Sequence, residues 1–333
     1  MMPNSPLVVA KAPMRISFSG GMTDIPGLTN HFQNLDGHVI GMTINKFVYV
    51  SVLPQPEFEN IKFRLTYRFA ESVSDFNELS HPVVRAILKA RNWKVPLNIS
   101  TMASLPGRSG MGSSSCFTVA FLAALEHFRG FEIEPKSLAR EAIRVEREIL
   151  KEPGGLQDQF QTSFGGLRSY HFTKADTHVS DTYPTEIANE IASHLVLVAT
   201  GRERDSGVIH SKIQEISLDK TLRIMSRMAA ISDQLRISLN TSKDYISQLA
   251  SSINESWALK REFEGTSTSS VDELLKFGRE KGAIAAKLNG AGQSGFALFV
   301  VPKERRVDFI KQFRSTDVVL PEYFSRGVQV VRQ

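Results

Sequence analysis

Pro106-Gly-Arg-Ser-Gly110-Met-Gly112-Ser-Ser-Ser-Cys116 is a glycine-dense loop that runs straight into the apolar, helix-forming stretch Phe117–Leu125. Glycines at 107, 110 and 112 permit positive φ and close backbone approach. The first N–H groups of the helix, at the favourable end of its dipole, then face whatever the loop encloses, and an anion such as phosphate suits that place. Ser113, Ser114 and Ser115 add hydroxyls for a phosphate oxygen or a magnesium ion. Two common nucleotide motifs are excluded. Four residues separate Gly107 from Gly112, as in a P-loop, but Ser113 stands where that motif has lysine. Gly110-x-Gly112 lacks the third glycine of a dinucleotide fingerprint. Taken alone, the segment also fits a glycine–serine surface turn before a buried helix, so the rest of the chain must decide.

The composition is that of a globular enzyme. A chain of 333 residues, 41% hydrophobic and 23% charged, is long enough for about two domains with cores of their own. The formal net charge of +5 is scattered; no basic run or aromatic-interleaved patch points to nucleic acid. One cysteine cannot form an internal disulfide, which is compatible with a reducing cytosol. The apolar run after the loop is too short for a bilayer, and Met1–Pro13 lacks the apolar core of a signal peptide. The expectation is a cytoplasmic protein with a small-molecule ligand and no nucleic-acid or membrane partner. The oligomeric state stays open, a homodimer included.

Strand-like and helix-like segments alternate without repeats. Val8–Phe18, Val39–Val52 and Ile61–Phe69 read as strands from their β-branched and aromatic content, and Pro82–Ala90 as a short helix. Helices follow at 115–128 and at Pro135–Leu150, where proline occupies the first turn and its missing N–H costs nothing. Leu156–Phe164 reads as a strand or the start of a helix. Beyond the polar span 173–192, the pattern gives a strand at His194–Thr200, helices through 218–260 and at Val271–Lys281, and strands at Ala283–Leu288 and Gly295–Val301. A helix at Glu304–Phe313 and a strand near Val328–Val331 close the chain. The expected division is near residue 185, into 1–185 and 186–333, an α+β half followed by an α/β half.

The helix over 136–150 contains an anomaly. At roughly 100° per residue, Leu138, Ala139, Ala142, Ile143, Val145, Ile149 and Leu150 form one apolar arc, with Arg140, Glu141, Arg144, Arg147 and Glu148 opposite. Glu146 falls in the middle of the apolar arc, where a bare carboxylate is costly to bury. Two readings remain: a buried salt bridge, or a ligand for Mg²⁺ beside a phosphate loop. Twelve residues on, Asp158 lies within Gly155-Leu-Gln-Asp158-Gln-Phe160, flanked by amides and apolar residues. In isolation it reads as a turn or cap residue. Cys116 at the helix start reads as a small buried side chain, and none of the eight histidines shows zinc-ligand spacing.

Together these segments resemble the GHMP small-molecule kinases, a family that includes galactokinase, homoserine kinase and mevalonate kinase. The loop is similar to the family's PxxxGLGSSAA signature, with Met111 for leucine. Ala12-Pro-Met-Arg15-Ile-Ser17-Phe-Ser-Gly20-Gly21-Met-Thr23-Asp24 is similar to the APxRISFxGGGTD opening of heptose-phosphate kinases. Gly154-Gly-Leu-Gln-Asp158-Gln-Phe, with Phe164-Gly-Gly166 after it, resembles their GGKQDQY…FGG, departing at Leu156 and Phe160. Lys287-Leu-Asn-Gly290-Ala-Gly292-Gln293-Ser294-Gly295 is similar to the third signature, KxxGAGxGG, with Gln293 and Ser294 at positions often glycine. Thr200-Gly-Arg-Glu-Arg204-Asp-Ser206 resembles a TGxxRxS stretch.

The resemblance implies an α+β, two-domain GHMP kinase fold: an N-terminal domain like domain 2 of ribosomal protein S5 and a ferredoxin-like C-terminal domain. It implies transfer of the ATP γ-phosphoryl group to the anomeric hydroxyl of a sugar, D-glycero-D-manno-heptose 7-phosphate in the heptose-kinase type, for nucleotide-activated heptose and surface polysaccharide. Pro106, Gly107, Ser109, Gly110, Gly112, Ser113, Ser114 and Ser115 are then expected at the ATP phosphates, and Ser114 and Glu146 at Mg²⁺. Asp158 is expected to accept or orient the hydroxyl proton while Arg15 offsets developing charge. Ser17, Gly20, Gly21, Thr23, Asp24, Gly290 and Gly292 are expected around the sugar, with Arg204 and Ser206 as a clamp for a phosphate already on it. The alternatives are an anomeric kinase for a free sugar, galactokinase- or fucokinase-like, and a regulator that binds sugar and ATP without turnover. Keeping both Glu146 and Asp158 speaks against the latter.

Overall fold

A computed structural model describes residues 7–26, 36–56, 58–107, 109–173, 176–201 and 218–332. Its strands are β1 (Val8–Ser19), β2 (Gly37–Pro54), β3 (Phe63–Thr66), β4 (Ala70–Val73), β5 (Leu97–Ala103), β6 (Leu167–Phe172), β7 (Thr177–Thr182), β8 (Leu195–Ala199), β9 (Ala285–Leu288), β10 (Phe296–Val300), β11 (Val318–Val319) and β12 (Gln329–Arg332). Its α-helices are α1 (Pro82–Ala90), α2 (Ser113–Phe128), α3 (Pro135–Ile143), α4 (Gln157–Phe164), α5 (Thr185–His194), α6 (Leu218–Thr241), α7 (Tyr245–Lys260), α8 (Ser269–Glu280) and α9 (Lys303–Ile310).

The first sheet has the order β12-β1-β2-β5-β3-β4, with β6 and β7 branching from β2. The branch exists because β2 is 18 residues long: its first part pairs with β6 and its last part with β5, while β1 covers its other edge. Only β3 and β5 run parallel. The second sheet has the order β11-β8-β10-β9, all antiparallel. Numbered in chain order these strands read 4-1-3-2, the arrangement of a ferredoxin-like split βαβ unit. It begins at β8, shortly after the expected division, but β12 crosses back to pair with β1.

Side-chain alternation builds two cores on the second sheet. Leu195 and Leu197 of β8 join the main core, which continues to Val8, Met14 and Phe121 in the first half of the chain, whereas Val196 and Val198 face a separate core with Phe299 and Phe309. Helix α2 is buried from Ser115 through Glu126. A helix apolar on nearly every side belongs inside, and this one lies between the first sheet and the helices around it. Cys116 within it is buried, its thiol pushed up to about 12 by burial.

Several elements differ from the sequence reading. Ile61–Phe69 is a short strand and a turn feeding β4. The polar span 173–192 holds β7 and most of α5. Leu156–Phe164 resolves as a helix. The helix expected over Pro135–Leu150 is α-helical only to Ile143 and continues as a π-helical turn, Arg144–Ile149, in which the Leu150 N–H reaches back to the Val145 carbonyl. The wider turn breaks the 100° register, so Ile149 is exposed although the apolar arc placed it inside. No described helix is long and apolar enough to cross a membrane.

Candidate active site

Strand β1 carries Arg15 between two register shifts, at Pro13/Arg15 and Ser17/Ser19. Such bulges turn a side chain out of the regular pleat. The guanidinium makes a fork with Asp158: Nε to Oδ1 at 2.8 Å and Nη2 to Oδ2 at 2.9 Å. Its Nη1 donates to the Gly110 carbonyl at 2.6 Å, and the Arg15 backbone N–H donates to the Met111 carbonyl. One arginine therefore ties the carboxylate to the glycine loop. Asp158 lies in the first turn of α4, where the helix dipole favours a negative charge.

Glu146 sits in the π-helical turn and is 1% exposed. Its Oε2 accepts from Ser115 Oγ at 3.0 Å and from Gln159 Nε2 at 2.6 Å, while Oε1 is buried with no hydrogen-bond partner among the described residues. Burial pushes its carboxyl above the usual range, with Arg147 opposing at 3.4 Å. Glu146 thus has a partial ion pair with Arg147 and one oxygen left over. Oε1 beside a cavity lined by Ser113, Ser114 and Ser115 fits a hard cation. The described residues include no cluster of three or more His, Cys, Asp or Glu. One carboxylate with hydroxyls is a sparse set, but Mg²⁺ keeps waters and binds phosphate oxygens.

The residue before helix α2 is Gly112, with φ of 74°, which has no side chain to cap the helix. Its first N–H groups are free for an anion. The loop is held from the other half of the chain. A Cβ on Gly110 would lie 2.3 Å from the Asn289 carbonyl oxygen, and one on Gly290 would lie 2.5 Å from Gly110 Cα. The two glycine loops touch backbone to backbone, which no side chain permits. Buried Asn289 fastens the junction, donating from Nδ2 to the Gly110 carbonyl and accepting from the Ser17 N–H at Oδ1.

These elements surround a cavity of about 590 Å³. Its wall contains Arg15, Asp158, Glu146, Gly110, Gly112 and the three serines together with Ser17, Gly20, Gly21, Asp24, Gly290 and Gly292. Asp24 is 1% exposed; its carboxylate accepts from the N–H groups of Met22 and Gln157 at 3.1 and 2.9 Å. Burial, and then the charge of Asp158, push its pKa upward.

Four expected residues do not line this cavity. Pro106 and Gly107 are exposed outside it, because the close approach begins only at Gly110. Ser109 is buried behind the loop with its hydroxyl unpartnered among the described residues. Thr23 is buried and donates to the Gly20 and His38 carbonyls at 2.7 and 3.1 Å, which shapes the turn that presents Asp24. Ser114 is exposed toward the cavity, but it is Ser115 that bonds Glu146. Arg204 and Ser206 lie outside the described residues.

Other residues of the site were given no role by the motif reading, although Gln159 and Lys287 lie within its segments. Gln159 orients Glu146. Arg147, expected on the polar face, is turned inward by the π-helical turn and donates to the carbonyls of Glu152 and Gly155, bracing the segment before Asp158. Lys260, the last residue of α7, and Lys287 of β9 both line the cavity. Lys260 Nζ donates to the Gly290 carbonyl, and Lys287 Nζ to the carbonyls of Ser17 and Phe18. Burial and the charge of Arg15 lower Lys260 to about 8; burial, Lys260 and Arg15 hold Lys287 well below the usual lysine range.

The profile described as GHMP kinases N terminal domain matches residues 78–166, and that of the GHMP kinases C terminal matches residues 242–316. The chain belongs to the GHMP kinase family. This GHMP kinase is 26% identical over 320 residues to D-glycero-alpha-D-manno-heptose 7-phosphate kinase of Campylobacter jejuni, an alignment covering 91% of this chain and 92% of that protein. It is 28% identical over 160 residues to galactokinase of Thermotoga maritima, covering 46% and 43%. The crystal structure of a D-glycero-D-manno-heptose 1-phosphate kinase from Bacteroides thetaiotaomicron superposes with a TM-score of 0.78 over 97% of this chain and 98% of that one, at 20% identity. Galactokinase of Lactococcus lactis complexed with galactose superposes with a TM-score of 0.75 at 14% identity, covering 97% and 95%. At these identities the superpositions establish the shared fold.

Proposed function

We propose that this GHMP kinase is a sugar kinase that transfers the γ-phosphoryl group of ATP to the anomeric hydroxyl of a heptose 7-phosphate, D-glycero-D-manno-heptose 7-phosphate or a close seven-carbon relative. The observation that carries the reading is the Arg15–Asp158 fork, fastened to the Gly110 carbonyl at the mouth of the glycine loop. It sits where a hydroxyl in the cavity would meet a phosphoryl group on the loop.

Phosphoryl transfer asks a protein mainly for alignment and for cations where charge builds up. The N–H groups at the start of α2 and the hydroxyls of Ser113, Ser114 and Ser115 take the ATP phosphates. Ser114, Ser115 and Glu146 would hold Mg²⁺, which when bound offsets charge on the phosphate oxygens. Each Asp158 oxygen uses one lone pair on Arg15 and keeps another for the sugar hydroxyl, so Asp158 orients that hydroxyl and receives its proton. Arg15 then faces the negative charge that spreads over the transferring group. Asp24, in the same cavity, holds sugar hydroxyls. A sugar-binding regulator without turnover has no use for this pair.

The test is an assay of purified protein with Mg·ATP against a panel of free sugars and sugar phosphates, read as ADP formed and sugar 1-phosphate produced. Efficient turnover of heptose 7-phosphate, with the free heptose far poorer, supports the reading. Efficient turnover of free galactose or fucose instead would move the chain to the free-sugar 1-kinases.

A further inference from the structure

Around the residues expected at the sugar, three cations, Arg15, Lys260 and Lys287, face two carboxylates, Asp24 and Asp158. Arg15 is matched by Asp158. Lys260 and Lys287 have no carboxylate within salt-bridge distance among the described residues, and their ammonium groups rest on main-chain carbonyls. Both are half-buried in the cavity wall. Lysines withdrawn from water without a carboxylate in direct contact are costly, and that cost is recovered when an anion binds them directly.

Their position says which anion. Lys287 leans on the Ser17 and Phe18 carbonyls, in the strand that leads to the Gly20–Asp24 turn. Lys260 sits at Gly290 and is close enough to Asp24 and Arg15 for their charges to act on it. The residues expected at ATP, Gly112 to Ser115 with Glu146, gather at the start of α2 and have a helix N-terminus of their own for its phosphates. We infer that Lys260 and Lys287 form an anion subsite for a phosphate group carried by the acceptor, distinct from the phosphates of ATP. The inference rests on the sugar-kinase reading above for the acceptor's identity, but not for the existence of the subsite.

Two measurements on the full-length protein, saturated with Mg²⁺ and a non-hydrolysable ATP analogue, test it. In calorimetric titration, Lys260→Gln should weaken D-glycero-D-manno-heptose 7-phosphate by about 10- to 100-fold, and far more than it weakens the same heptose without phosphate. Lys260→Arg, which keeps the charge, should restore most of the affinity. Equal losses for both sugars, or a loss confined to the ATP analogue, would overturn the subsite. In the second measurement, inorganic phosphate should raise the melting temperature of wild type and raise it much less in Lys260→Gln. If phosphate protects through Lys260 while no heptose binds, the subsite stands and the heptose reading falls. If phosphate gives no Lys260-dependent protection, the subsite falls whichever sugar is phosphorylated.

Discussion

Arg15 and Asp158, 143 positions apart in the chain, meet in a two-point ion pair with N···O distances of 2.8 and 2.9 Å. The pair joins the first turn of α4 to the opening strand β1. Asp158→Asn keeps the volume but removes the proton acceptor and half of the fork. Turnover should fall by about 10²–10⁴-fold with ATP affinity retained. Steady-state kinetics and nucleotide titration check this; turnover within a few fold of wild type would remove Asp158 from the chemistry.

Glu146 separates a metal role from a structural one. Glu146→Gln retains the hydrogen bonds from Ser115 and Gln159 but loses the charge behind the free Oε1. The Mg²⁺ concentration for half-maximal rate should rise by about tenfold or more, as for other changes at metal sites. A variant with unchanged Mg²⁺ dependence and only a lower melting temperature would make Glu146 a structural carboxylate.

Gly110 and Gly107 make a matched pair within one loop. Gly110 has φ of +73° and its Cβ position lies 2.3 Å from the Asn289 oxygen, whereas a Cβ on Gly107 meets nothing within 4 Å. Gly110→Ala should cost more than about 2 kcal/mol from strain and from parting the two glycine loops. Gly107→Ala should stay within about 0.5 kcal/mol. Urea unfolding of both, with ATP binding measured alongside, compares them directly.

The pH dependence of acceptor binding follows from Lys260. Burial lowers its pKa most, the charge of Arg15 adds to this and that of Asp24 opposes it, leaving it at about 8. Lys260 is charged below that value and neutral above it. Affinity for the phosphorylated heptose should therefore be full at pH 7 and fall by up to about tenfold per unit above pH 8. The free heptose should show no such fall. Titrations between pH 6.5 and 9.5 distinguish the two profiles.

Much of the site was legible because its chemistry is written in contiguous segments. The loop at 110–115, the Arg15–Asp24 opening and the Asp158 segment each announce themselves, and the angle of Glu146 on an ideal helix was enough to foretell its burial. The same ideal helix misplaced Ile149 and Arg147, since a π-helical turn leaves no mark in apolar periodicity. Lys260 was hidden for a different reason: a lysine at the last position of a helix reads as a partner for the helix dipole, and only the packing of α7 against β1 and β9 turns it into the cavity. Gln159 and Asn289 act through hydrogen bonds to residues far away in the chain, which no local pattern encodes.

The most direct test of the central claim is ³¹P NMR of the products from wild-type protein, Mg·ATP and D-glycero-D-manno-heptose 7-phosphate. The account predicts a new phosphate resonance coupled to the anomeric proton, appearing in step with ADP, with the 7-phosphate resonance retained. ADP release without an anomeric phosphate, or a phosphate attached at another carbon, would contradict it.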